Sequence, residues 1–240
     1  MTITLHGWGA MFDLPSPSPF VLKADIHMQL LGVQFERALA DLDAVNKHKA
    51  PYVYDDGVLV QDSAFIRWHF ETKLGKDLES GLSPQQRGAA WVLGTMLEQR
   101  LVPILVNERW MNDKNFDAGP RQFFAGVPEA MREMVVAGAR GEVAATMQGN
   151  GIARYSHSEL MQLAAADLAA VAQVLGDQPY LCGNQPSAVD GAGYGVLASA
   201  ATRFFDSELP SLVEAHPNLA DYIARMRQRF FPSDRWPMMG

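Results

Sequence analysis

With one cysteine in 240 residues, Cys182, the chain can form no internal disulfide, and no pair of thiolates can share a metal. A reducing cytoplasm is the expected home. The histidines His6, His27, His48, His69, His157 and His216 lack paired ligand spacing, so no metal centre is expected. No G-x-S-x-G run occurs, which excludes the nucleophile elbow of a serine hydrolase. Apolar runs stop short of the roughly 20 residues of a membrane helix, and MTITLHGW lacks the basic start and apolar stretch of a signal peptide. There is no dense basic cluster, and the net charge is −7, so neither nucleic acid nor an anionic membrane is the expected partner. A hydrophobic share of 48% with 20% charged residues fits a soluble globular protein of one large or two small domains. A small molecule or another protein remains as partner.

What is present begins with mixed strand and helix signals. Thr2 to Trp8 reads as a short strand, and GAMFDLPSPSP is too rich in proline and glycine to continue it. In PFVLKADIHMQLLG, Val21, Leu22, Ile26 and Leu30 form a helical stripe that Gly32 should stop. VQFERALA reads as a second strand, and the polar Asp41 to Lys49 as irregular or briefly helical. In KAPYVYDDGVLVQDSAF, Asp55-Asp56-Gly57 joins two β-prone runs as a hairpin, and Pro51 opens its first strand. Asp62-Ser63 then stands at a helix N-terminus, where free N–H groups either receive their own cap or meet an anion. The order is β-α-β-x-β-β-α, a small sheet with helices on its faces.

Beyond Leu74 the strand signals fade. Ser83-Pro84-Gln85-Gln86 carries a cap, an N1 proline and a glutamine three residues on; it starts a long helix that Pro103 should bend. Further helices are expected over residues 119–148, 158–175, 187–205 and 218–230. Ser187 and Asp190 match a capping box, and Gly191, Gly193 and Gly195 indicate close helix packing because no strand precedes them. Trp91, Trp110, Phe123 and Phe124 are expected in the core or a pocket wall.

In this order of elements the chain resembles the glutathione transferase superfamily: a thioredoxin-like α+β domain over residues 1–75, followed by an all-helical domain over residues 83–240. The likeness rests on SPFVLKADIHMQLLGVQFE, KAPYVYDDGVLVQDSAFI and PYLCGNQPSAVDGAGYGVLAS. More narrowly, FVLKADIHMQLLG, LSPQQRGAAWVLGTMLEQRL, ERW and HPNLADYIARMRQRFFP are similar to the branch of failed axon connections proteins and metaxins. The branch's frequent cysteine position is Val21 here, which excludes a thiol-based role there.

The resemblance implies glutathione as co-substrate, a small electrophile as second substrate, and a homodimer. It implies a cis Pro51, with the Ala50 backbone pairing with the cysteinyl part. Ser63 would take the γ-glutamyl carboxylate, Asp62 would face the ammonium, and Lys49 or Lys47 would meet the glycyl carboxylate. Ser18, or Ser16 in the alternative register, would activate the thiol, although Ser18 also reads as a plain N-cap before Pro19. The second substrate is expected near Met96, Arg100 and Pro103. The implied activity is conjugation or reduction of an electrophile by glutathione; the alternative is a non-catalytic, metaxin-like module that binds a protein.

Overall fold

The computed structural model describes residues 3–233 and 236–237. Strand β1 spans Ile3–Gly7; Thr2, its expected start, lies outside the described residues. Helix α1, Pro19–Leu31, starts at Ser18, whose Oγ accepts from Val21 N, and stops at Gly32 in the left-handed region, φ 75°. Strand β2, Phe35–Leu39, runs parallel to β1, and β3, Tyr52–Asp55, antiparallel to it. Strand β4, Val58–Gln61, closes the sheet in the order β2-β1-β3-β4. Asp56 and Gly57 both have positive φ, as a tight hairpin turn requires. Helix α2, Ser63–Leu74, completes the expected thioredoxin-like order.

The buried Asp25 carboxylate in α1 accepts two bonds from Arg37 on β2, one from Gln29 and one from Trp236 Nε1. Such a charge is tolerated inside because its oxygens are fully engaged. Helix α1 serves two cores. Val21, Ala24 and Met28 pack against the sheet, while Leu22 and Ile26 join the helical half.

Helix α3, Pro84–Met96, opens with the capping box of Ser83 and Gln86. It passes through a π turn, Leu97–Leu101, into α4, Val102–Trp110. Pro103 has no N–H, and its ring crowds the carbonyl four residues back, so the expected distortion takes the form of a wider turn with Val102 N bonded to Leu97 O. The helices α5 (Asp113–Ala118), α6 (Glu129–Gly149), α7 (His157–Leu175), α8 (Ala188–Ala201), α9 (Leu209–Glu214) and α10 (Pro217–Phe230) follow.

Several expectations need correction. The helix expected from residue 119 begins only at Glu129, because Pro120 and Pro128 interrupt it. The helix expected to reach Phe205 stops at Ala201, and the short α5 and α9 had no clear periodic signal. Trp91 lies on the surface, 60% exposed. The continuous helix Pro84–Trp110 is, by length and composition alone, apolar enough to cross a membrane, with a window of mean hydropathy 1.3. Its side chains Leu93, Leu97, Leu101, Ile104 and Leu105 are instead buried in the helical core.

Helix α8 is the axis of this half, buried along nearly its whole length. The Asp190 carboxylate accepts from Ser187 N at 2.8 Å, Leu181 N at 2.9 Å and Tyr222 OH at 3.0 Å, which bears out the capping box. Burial raises its pKa against the pull of those bonds. The glycines serve packing, as expected: a Cβ on Gly195 would stand 2.4 Å from Pro19 O, and one on Gly191 2.7 Å from His27 Nε2. They let α8 press against the start of α1.

Candidate functional site

Two clefts meet at the N-terminus of α1, and Phe20 lines both. The first, about 230 Å³, runs between the hairpin and the π turn; Lys49, Ala50, Pro51, Asp62 and Ser63 line one side, and Glu98 and Gln99 the other. The Ala50–Pro51 peptide is cis. Asp62 N–H donates to Pro51 O at 3.1 Å, which couples the two key segments.

Asp62 sits at φ 87°, ψ 138°. A non-glycine residue avoids that region because its Cβ crowds the backbone, at a cost of about 1–3 kcal/mol. Its Oδ1 accepts from Ala64 N at 2.8 Å, so the capping role is real. The carboxylate stays at the cleft wall, beside the first-turn N–H groups of α2. Ser63 is buried, and its hydroxyl has no protein hydrogen-bond partner among the described residues. A helix N-terminus with a free hydroxyl favours a carboxylate, and the adjacent acid favours an ammonium. The cleft therefore matches a zwitterionic head.

Lys47 and Lys49 differ in their surroundings. The Lys47 ammonium lies 4.7 Å from the Phe65 ring centroid, and its backbone N–H donates to Gln61 Oε1. Lys49 is exposed on the cleft rim.

The second cleft, about 190 Å³, is walled by Trp8, Phe12, Trp110 and Phe123, with Ser18 at its mouth. Ser16 does not line it. That serine is fully buried, and its Oγ accepts from Ser18 N at 3.5 Å. The far wall is Val102, Leu105 and Val106 rather than the expected Met96, Arg100 and Pro103. Arg100 is instead tied to the buried Asp167, Nε to Oδ2 at 2.7 Å.

Residues 19–115 match the family model for the glutathione S-transferase N-terminal domain, and residues 164–226 that for the C-terminal domain. The chain belongs to the glutathione S-transferase superfamily. It is similar to isoprene-epoxide–glutathione S-transferase of Rhodococcus sp. (strain AD45), 29% identical over 236 residues, covering 95% of this chain and 99% of that one. Failed axon connections of Drosophila melanogaster is 26% identical over 232 residues, 91% of this chain and 56% of that relative, in keeping with the metaxin-like branch. The fold matches a beta-etherase of Sphingobium sp. strain SYK-6, TM-score 0.70 at 16% identity over 97% of this chain and 99% of that one. It also matches a glutathione S-transferase of Ceriporiopsis subvermispora in complex with glutathione, TM-score 0.66 at 14% identity over 95% and 97%.

Sequence reasoning missed Gln61, Glu98 and Gln99 at the transferase-like polar cleft, and Trp8 and Arg109 at the aromatic one. Only Arg109 had a signal. Spaced with Val102 and Leu105 at helical intervals, it is a charge on an apolar stripe.

Proposed function

We propose that the protein is a glutathione transferase that holds the tripeptide in the polar cleft and presents its thiol to a small electrophile in the aromatic cleft. The observation that carries this reading is the meeting of the two clefts at the capped start of α1. Ser63 and the α2 N-terminus take the γ-glutamyl carboxylate, Asp62 its ammonium, the Ala50 backbone the cysteinyl part, and Lys49 the glycyl carboxylate. The thiol then reaches Ser18. A free thiol of pKa about 8.5 is only a few per cent thiolate at neutral pH. One charge-assisted hydrogen bond, about 1.5–3 kcal/mol, lowers that value by one to two units, since a unit is about 1.4 kcal/mol. The α1 dipole acts in the same sense. The fully buried Ser16 supports the turn. We further propose a homodimer in a reducing cytoplasm.

The test joins calorimetry with turnover. Wild type should bind glutathione and conjugate 1-chloro-2,4-dinitrobenzene. Asp62→Gly should bind about tenfold more weakly, since one charge loses its partner, while the free protein keeps its melting temperature because glycine relieves the positive φ and still caps acceptably. Ser18→Ala should retain affinity and lose turnover, as expected of a group that meets charge on sulfur. A second reading, a non-catalytic module that binds another protein, draws on the similarity to Failed axon connections. Absence of both glutathione heat and turnover in wild type would select it.

A further inference from the structure

Arg109, in the last turn of α4, lines the aromatic cleft and is only 8% exposed. Its Nη1 donates to Pro17 O at 3.0 Å and its Nη2 to Ser199 O at 2.9 Å. The guanidinium lies 4.9 Å from the Phe205 ring centroid and 5.9 Å from that of Phe12. These contacts use two of its five N–H groups. No carboxylate lies within ion-pairing distance of it among the described residues. The neighbouring Glu108 is turned elsewhere, its oxygens on His157 and Ser207. Burial pulls the Arg109 pKa down to about 10, which leaves it cationic at neutral pH.

A charge this deep, beside aromatic walls, is costly unless it is paired. Two carbonyls and two ring faces recover part of the cost. None of them neutralises the charge. The cleft that Arg109 lines opens beside Ser18, and the carbonyl it holds belongs to Pro17, the residue before Ser18. We propose that Arg109 makes the aromatic cleft a carboxylate-accepting site, so that the electrophile is a small, planar, single-ring or conjugated acid whose carboxylate pairs with the guanidinium. This rests on the glutathione transferase reading and names its substrate class.

Three features support that class. The guanidinium fork matches a carboxylate in a way that an ammonium does not. The aromatic walls accept a flat ring by stacking. A cleft of about 190 Å³ lies below the usual range of about 300–1,000 Å³ for drug-sized ligands. One ring with short substituents therefore fits best. With 4-chloro-3,5-dinitrobenzoate as such an electrophile, the glutathione thiolate attacks the chlorine-bearing carbon. The C–S bond forms, the C–Cl bond breaks, chloride departs with the electron pair, and the thiol proton has passed to solvent.

The experiment compares this acid with its methyl ester. With each kcat/KM divided by the uncatalysed second-order rate constant with glutathione, because the ester activates the ring more strongly than the carboxylate does, wild type should favour the acid by about tenfold or more, and Arg109→Gln should bring this normalised ratio to near unity, mainly through KM of the acid. Using a ratio cancels any general damage from the lost bonds to Pro17 and Ser199. A wild type without preference, or an unchanged ratio in the variant, overturns the inference. A second readout needs no glutathione, because Trp8 and Trp110 report on the cleft through their fluorescence. Saturable quenching by 3-nitrobenzoate, absent with methyl 3-nitrobenzoate and lost in Arg109→Gln, supports the site. Equal quenching by acid and ester overturns it. Carboxylate-dependent quenching in a protein that conjugates neither chloro compound upholds the anion site and overturns the transferase reading alone.

Discussion

His27 shows what a single buried side chain does to the pH response of the molecule. Its Nε2 bonds to Ala188 O at 2.7 Å, whereas Nδ1 has no partner among the described residues. Burial first, and the positive charge of Lys23 second, lower its pKa from 6.5 to about 3. Between those two values the unfolded chain is protonated at this site and the folded chain is not. Stability is therefore lost as pH falls through that window, with a slope of up to about 1.4 kcal/mol per unit for one proton. His27→Gln keeps an N–H for Ala188 O and removes the proton-binding group. Urea midpoints measured at pH 7.5, 6.0 and 5.0 should converge for wild type and variant at the acid end, after starting apart. Midpoints that fall in parallel would show that His27 carries none of the acid sensitivity.

At the scale of elements, the decisive contact is α1 against α8, because it sets the position of Ser18 relative to both clefts. Gly195 makes that approach possible: an added Cβ would meet backbone atoms of Pro19, O at 2.4 Å and C at 3.1 Å, which cannot rotate away. Gly195→Ala should destabilise by about 1–3 kcal/mol through overpacking, and because Pro19 follows Ser18, conjugation should fall with it. Gly138, inside α6, has nothing within 4 Å of its added Cβ. Gly138→Ala should stabilise by about 0.4–1 kcal/mol, since alanine loses less backbone entropy in a helix. Thermal melts of the two variants with opposite signs check the argument. A neutral Gly195→Ala would mean that α1 can yield at its N-terminus.

For the whole molecule, the prominent surface feature is an apolar face that spans both halves. Trp68 of α2 and Trp91 of α3 stack with ring centroids 6.4 Å apart and are 40% and 60% exposed. Phe65, Val58 and Val92 are exposed as well. Such faces are commonly covered by another chain. Our proposal of a homodimer uses this one, so Trp91→Glu should turn a dimeric sedimentation profile into a monomeric one, with tryptophan emission shifting to the red in wild type only on dilution. A wild type that sediments as a monomer at micromolar concentration would remove the proposal.

The sequence by itself determined the order of elements from β1 to α2, because local causes act over one or two turns. Ser18 and Pro19 start α1, Gly32 stops it, Asp56-Gly57 turns the hairpin, and Asp62 caps α2. It also carried the Ser187–Asp190 box and the packing role of the α8 glycines, since both are written at fixed spacing within one segment. Tertiary structure alone decided which residues share a cleft. Glu98 and Gln99 lie more than thirty residues from Ser63, and their approach depends on how α3 docks against α1 and α2. Likewise Trp91 and Trp110 have the same apolar signature, yet one is left on the surface and the other becomes a wall. Periodicity identifies a face but not its cover. The second cleft is the clearest case: its helical wall is built from Val102, Leu105, Val106 and Arg109, all beyond the π turn, in place of the expected Met96, Arg100 and Pro103.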